Sequence, residues 1–215
     1  MVSRSDERDG AFRKVEAAYQ NFYQLLNSDG ALPYRSTESG MWATSDANEV
    51  YGAFCHFQLN RYTHLADLGS GDGGVALVGS LFTKVTGYET DEVLYKKSLE
   101  IRDQLGIHRV IFLQQNYLLA DLSPYDILYL YPDKPFYALE DRLHYSWQGH
   151  LLVNGPHFPP RHFGKVAESP AAVGKFVLYE SAYRGGGCKV GDPQQLRSAS
   201  RVPRRRLSIW SNSWR

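Results

Sequence analysis

The chain has 215 residues, 24 Lys/Arg against 23 Asp/Glu and 43% hydrophobic residues, a composition that supports a buried core and excludes disorder of the whole chain. No apolar run approaches the roughly 20 residues that span a bilayer. The polar first residues lead into no signal-peptide stretch, so a cytoplasmic protein is expected. Charge is unevenly spread: residues 185–215 hold seven of the basic residues and one acid, Asp192, which leaves the first 184 residues net acidic. An enzyme of nucleic acid would carry its basic footprint on the folded domain, so a nucleic-acid partner is disfavoured. Cys55 and Cys188 lie far apart, without metal or redox spacing, and read as reduced thiols.

In chain order, Phe12, Val15, Tyr19, Phe22 and Leu26 recur at helical spacing and predict an amphipathic helix over residues 11–26. Residues 31–44 read as an irregular segment with Tyr34 and Trp42. A second helix is expected over 46–59, capped by Thr44 or Ser45. Strand–helix alternation follows, with strands at 65–68, 84–88, 110–113, 126–131 and 150–153 and a further candidate at 175–180. Apolar strands alternating with helices predict a doubly wound, mostly parallel α/β sheet. Residues 206–210 alternate weakly and could close the sheet, or 185–215 could be an irregular basic tail. The expected division is an N-terminal helix and covering segment (1–45), a main domain (46–184) and that tail (185–215).

The most specific run is Asp67-Leu68-Gly69-Ser70-Gly71-Asp72-Gly73, a strand that breaks into glycine at every second position and then enters a helix. Glycine lets a nucleotide-like ligand lie directly on backbone. Gly69, Gly71 and Gly74 also satisfy the dinucleotide pattern Gly-x-Gly-x-x-Gly. Asp67 and Asp72 discriminate, because two carboxylates beside the loop repel a pyrophosphate and suit a cationic or zwitterionic ligand. Glu89 follows Gly69 at the spacing of a ribose-binding acid and ends the second strand, and Asp91 is placed to cap the next helix.

The glycine run resembles motif I of the class I, Rossmann-like S-adenosylmethionine-dependent methyltransferases, and Gly87-Tyr88-Glu89-Thr90-Asp91 resembles their ribose motif. The resemblance covers about residues 38–180 and is nearest to small archaeal-type and protein-lysine methyltransferases. It implies S-adenosylmethionine as cofactor, held by Asp67, Gly69, Ser70, Gly71, Asp72, Gly73, Glu89 and Thr90. It also implies that Asn116 and Tyr117 lie at the adenine and that Trp42, in Gly40-Met41-Trp42-Ala43-Thr44-Ser45, folds over the methionine end.

On the acceptor side, the resemblance places Tyr131 and Asp133, in Tyr131-Pro132-Asp133-Lys134, as catalytic candidates that orient the acceptor and take its proton. Asp133-Lys134-x-x-Tyr137 also resembles part of a metal-dependent O-methyltransferase signature. Tyr131 stands where that pattern needs an acid, and Asn154-Gly155 supplies at best one further ligand, so no metal is expected. His157 and His162 are candidates to line the acceptor pocket. The expected function is methyl transfer to a protein side chain or a small molecule; the alternative is a non-catalytic cofactor-binding or scaffold module.

Overall fold

The computed structural model describes residues 4–181. The chain opens with α1 (Arg4–Ser28), which begins earlier than the apolar periodicity suggests, with Asp6 and Glu7 in its first turn, where acids favour a helix N-terminus. The segment expected to be irregular is a hairpin of β1 (Tyr34–Thr37) and β2 (Gly40–Ala43), paired antiparallel from Tyr34↔Ala43 to Thr37↔Gly40. α2 (Ala47–His56) is capped by Asp46 rather than Thr44 or Ser45, its carboxylate accepting from Asn48 N at 2.8 Å and Glu49 N at 3.0 Å. Asp46 directly precedes the first helical residue, where a side-chain oxygen reaches the free N–H groups of the first turn.

The remaining elements are β3 (His64–Leu68), α3 (Gly74–Gly79), β4 (Lys84–Glu89), α4 (Glu92–Leu105), β5 (Val110–Gln114), β6 (Ile127–Leu130), α5 (Tyr137–Leu143), β7 (His150–Asn154), β8 (Phe163–Glu168) and β9 (Phe176–Ser181). Asp91 caps α4 through Val93 N and Leu94 N, and Gly106 ends it in the left-handed conformation. Among the described residues the sheet has seven strands in the order β5-β4-β3-β6-β7-β9-β8. The first five are mutually parallel, and β9 runs antiparallel between β7 and β8. The doubly wound, mostly parallel architecture expected from the sequence is therefore present. Its seventh strand is β8, which the sequence reading did not mark; the 206–210 candidate and the 185–215 tail lie outside the described residues.

Successive residues of a strand face opposite sides of the sheet, and both sides are covered. Leu65, Ile127, Leu152 and Leu178 pack beneath α1, α2 and α3, in a cluster with Phe12, Val15, Phe54 and Leu77. Ala66, Leu128, Leu151 and Val177 face the other way, toward Leu139 and Leu143 of α5 and toward Trp147. Phe54 is fully buried and meets Tyr129 edge-to-face at 6.1 Å. Truncating such a ring to Ala costs about 3–5 kcal/mol.

Strand order reverses between β3 and β6, which opens a crevice at their carboxyl ends, the usual ligand position in such a sheet. The hairpin and α1 complete the surroundings of that crevice.

Candidate functional site

After Leu68 the backbone turns sharply. Gly69, Gly71 and Gly73 all take positive φ (83°, 56° and 87°), a region that side chains disfavour by about 1–2 kcal/mol. Gly69 N and Ser70 N both donate to Tyr88 O at 2.9 and 2.8 Å, which fastens the turn to the end of β4. At Gly71 a side chain is also excluded by contact, since a Cβ there would lie 2.6 Å from the Trp42 indole. Trp42 of β2 therefore lies directly on the glycine turn.

A cleft of about 730 Å³ opens above this turn, within the roughly 300–1,000 Å³ typical of small-molecule sites. It is lined by Trp42, Asp67, Gly69, Ser70, Gly71, Asp72, Glu89, Thr90, Asn116, Tyr117, Tyr131 and Asp133, so residues from five separate stretches of sequence meet at one cleft. Gly73 is the exception among the candidates for the cofactor. A Cβ there would sit 2.7 Å from Ser98 Cβ and from Phe112 Cζ, so it lets the turn pack on α4 and β5 rather than lining the cleft. His157 lines the cleft, whereas His162 does not: its ring lies tilted against that of His144 with centroids 4.5 Å apart, and 3.7 Å from Asp141.

Three carboxylates gather around the turn, each with a different environment. Asp67 is 2% exposed, and its Oδ2 has no hydrogen-bond partner. Burial, with Glu89 and Asp72 adding repulsion, pushes its carboxyl up to about 8. Asp72 is also buried, but it accepts from Tyr23 Oη at 2.7 Å and Gly74 N at 3.1 Å. Burial raises Asp72 to about 6, with those two donors restraining the rise. Glu89 accepts from Gly71 N at 2.8 Å through Oε2, and from Thr90 N and Asp91 N at 2.7 and 2.8 Å through Oε1. An ionised carboxylate has about four acceptor sites, so Glu89 retains capacity for one further strong donor rather than two.

The Ser70 hydroxyl is a second buried polar group without a partner. Asn116 Oδ1 accepts from Leu118 N at 2.9 Å, capping a short 3-10 turn at Tyr117–Leu119. The amide nitrogen of Asn116 is the part of that side chain left for a ligand. Burial pushes the Tyr117 hydroxyl up.

At the end of β6, Tyr131 is 51% exposed at the cleft. Asp133 is drawn to the hairpin instead, its Oδ2 accepting from Met41 N at 2.7 Å. Among the described residues no group of three or more His, Cys, Asp or Glu side chains is arranged to hold a metal ion.

The sequence reading missed α1 as part of this site. Tyr19 Oη donates to Asp72 O at 2.8 Å and Tyr23 Oη to its carboxylate. The helical spacing of Tyr19 and Tyr23 places both hydroxyls on one face; the sequence reading counts Tyr19 in an apolar stripe and does not mark Tyr23. The hairpin's polar ties to Thr90, Asp91 and Lys134 have no local sequence signature.

No family model and no curated protein matches the chain. Its backbone is similar to solved structures. One is an RNA methyltransferase from Salinibacter ruber in complex with S-adenosylhomocysteine, with 18% identity and a TM-score of 0.56 over 69% of this chain and 100% of that one. Another is a methyltransferase from Geobacter sulfurreducens, with 12% identity and a TM-score of 0.56 over 77% of this chain and 89% of that one. At these identities the likeness shows the fold: this is the class I methyltransferase fold. Among the described residues no helix is long and apolar enough to cross a membrane.

Proposed function

We propose that the chain binds S-adenosylmethionine in this cleft and transfers its methyl group to an acceptor that enters beside Tyr131. The observation that carries the reading is Asp67, a buried carboxylate with an unpartnered oxygen among further acids on the cleft wall. Burial disfavours the ionised form of Asp67 and pushes its carboxyl up to about 8; a ligand cation beside it favours ionisation, where a phosphate would oppose it. When bound, S-adenosylmethionine supplies a methyl group on a sulfonium, already activated for displacement.

The residues of the chain fit such a guest. The unpartnered oxygen of Asp67 supports a contact with an ammonium, and the remaining acceptor site of Glu89 suits a ribose hydroxyl. Asn116 retains an amide N–H₂ for a purine ring nitrogen, and Trp42 covers the turn. Gly69, Ser70, Gly71 and Asp72 form the floor, with Ser70 Oγ free to bond the ligand. Displacement of this kind depends on alignment and exclusion of water more than on a strong base, and Tyr131 is the side chain placed to align the acceptor.

The acceptor we favour is an amine, on a protein side chain or a small molecule, that is cationic in solution; it loses a proton to water, and its lone pair then takes the methyl group as the S–C bond breaks and S-adenosylhomocysteine leaves. Glu38, Asp67, Asp72, Glu89 and Asp133 line the cleft against one lysine, Lys134, whose ammonium donates to Ser39 O at 2.7 Å. That balance supports an amine over the phosphates of a nucleic acid. A cofactor-binding module without transferase activity is the second reading, favoured by the engagement of Asp133 Oδ2 with Met41 N. Incubation with methyl-labelled S-adenosylmethionine and a panel of lysine peptides and small amines separates the two. Label in the acceptor supports transfer; cofactor binding with no label in any acceptor supports the module.

A further inference from the structure

The hairpin β1–β2 is tied at both ends of the cleft. On the β6 side, Asp133 Oδ2 accepts from Met41 N at 2.7 Å and Lys134 Nζ donates to Ser39 O at 2.7 Å. On the β4 side, Ser39 Oγ and Thr90 Oγ1 share a hydrogen bond of 2.8 Å, and Arg35 pairs with Asp91. Between these ties the indole of Trp42 rests on Gly71.

From these contacts we infer that Asp133 is a positioning residue, a latch that holds the hairpin closed so that Trp42 covers the cofactor turn. It contrasts with the proton-accepting role suggested by the sequence, and it rests on the cofactor site proposed above. Two independent features meet at the latch. The first is the hydrogen bond itself, donated by the backbone N–H of Met41, which stands opposite Ser36 in the hairpin, to the Asp133 carboxylate. The second is Gly40, with φ at 148° and the Asp133 carboxylate packed where its Cβ would be. A side chain at position 40 would push the carboxylate off the hairpin.

A latch and a proton acceptor differ in what they need from residue 133. The latch needs an oxygen that accepts from Met41 N, which an amide supplies too, though more weakly than a carboxylate. Proton transfer needs a group that can take the proton. The effect expected from one exposed hydrogen bond is modest, about three- to tenfold in a lid-opening equilibrium.

The experiment compares Asp133→Ala, Asp133→Asn and Gly40→Ala in the full chain by two readouts. Hydrogen exchange at the Met41 amide reports the latch without any ligand. It should quicken about three- to tenfold in Asp133→Ala and Gly40→Ala and by clearly less in Asp133→Asn. Dissociation of labelled S-adenosylhomocysteine into unlabelled excess should follow the same ranking. Unchanged exchange in Asp133→Ala, or an Asp133→Asn variant as fast as the alanine, would overturn the latch. No binding of S-adenosylhomocysteine by the unaltered chain overturns instead the cofactor reading, whatever the exchange rates show.

Discussion

The hydroxyl of Tyr23, on the first helix, donates to the carboxylate of Asp72 in the glycine turn at 2.7 Å across 49 residues of sequence. Tyr23 thereby separates two otherwise similar acids. Asp72 has donors from α1 and from the start of α3; Asp67 keeps an oxygen with none. The site presents one satisfied carboxylate and one unsatisfied one, and the unsatisfied one defines the ligand it suits.

Replacing Tyr23 by Phe removes a donor to a buried carboxylate. The expected cost is about 1–3 kcal/mol of stability, the range for a hydrogen bond to a charged group and for a buried acceptor left short. Tyr19→Phe should cost less, about 0.5–1.5 kcal/mol, because its acceptor is the neutral carbonyl of Asp72. Urea unfolding of the two variants at neutral pH checks the ranking; a larger loss for Tyr19→Phe would contradict it.

Asp67 gives a signed pH dependence. Its carboxyl stands at about 8 in the folded chain, raised from 3.8. The folded state therefore holds a proton that the unfolded chain has already released. This contribution to stability is fully present below about pH 4 and is lost as pH rises through about 8. Asp67→Asn should flatten that slope, raise stability at pH 8 by about 1–3 kcal/mol and abolish cofactor binding. Urea unfolding at pH 5 and pH 8, with a cofactor titration of each form, reads all three; an asparagine variant less stable at pH 8 would sink the account of this acid.

Glu89 has two roles, which the two substitutions separate. Glu89→Ala loses the acceptor for Gly71 N, Thr90 N and Asp91 N, so stability and cofactor affinity should both fall, affinity by at least tenfold. Glu89→Gln keeps one acceptor oxygen, and should fall between the alanine and the parent in thermal stability. Normal cofactor affinity in Glu89→Ala would remove Glu89 from the ligand site.

Methyl transfer is expected to be indifferent to chelation. Asp133 Oδ2 is engaged with Met41 N, Tyr131 stands where a ligating acid is needed, and Asn154 Nδ2 donates to Tyr129 Oη at 3.1 Å. Too few hard oxygen ligands remain for six-coordinate magnesium. Turnover measured with and without EDTA checks this, and activity lost to EDTA and restored by magnesium would count against it.

Much of this arrangement is legible in the residues because local chemistry dictates it. The apolar strands, the glycines at positive φ, the Asp91 cap and Gly106 at the end of α4 each follow from spacing and conformational preference. β8 is different: one of its six residues, Phe163, is buried, so no hydrophobic pattern marks it and only pairing with β9 makes it a strand. The hairpin likewise has two strands of four residues without a buried face, and its ties lie on distant segments. The Tyr23–Asp72 bond and the Asp133–Met41 bond are products of packing, which sequence spacing alone does not encode.

The central claim is that the acids beside the glycine turn select a cationic cofactor. Parallel calorimetric titrations of the full chain with S-adenosylmethionine, S-adenosylhomocysteine and NAD test it most directly. The account predicts saturable binding of the first two and binding of NAD at least tenfold weaker. Comparable or tighter binding of NAD would contradict it.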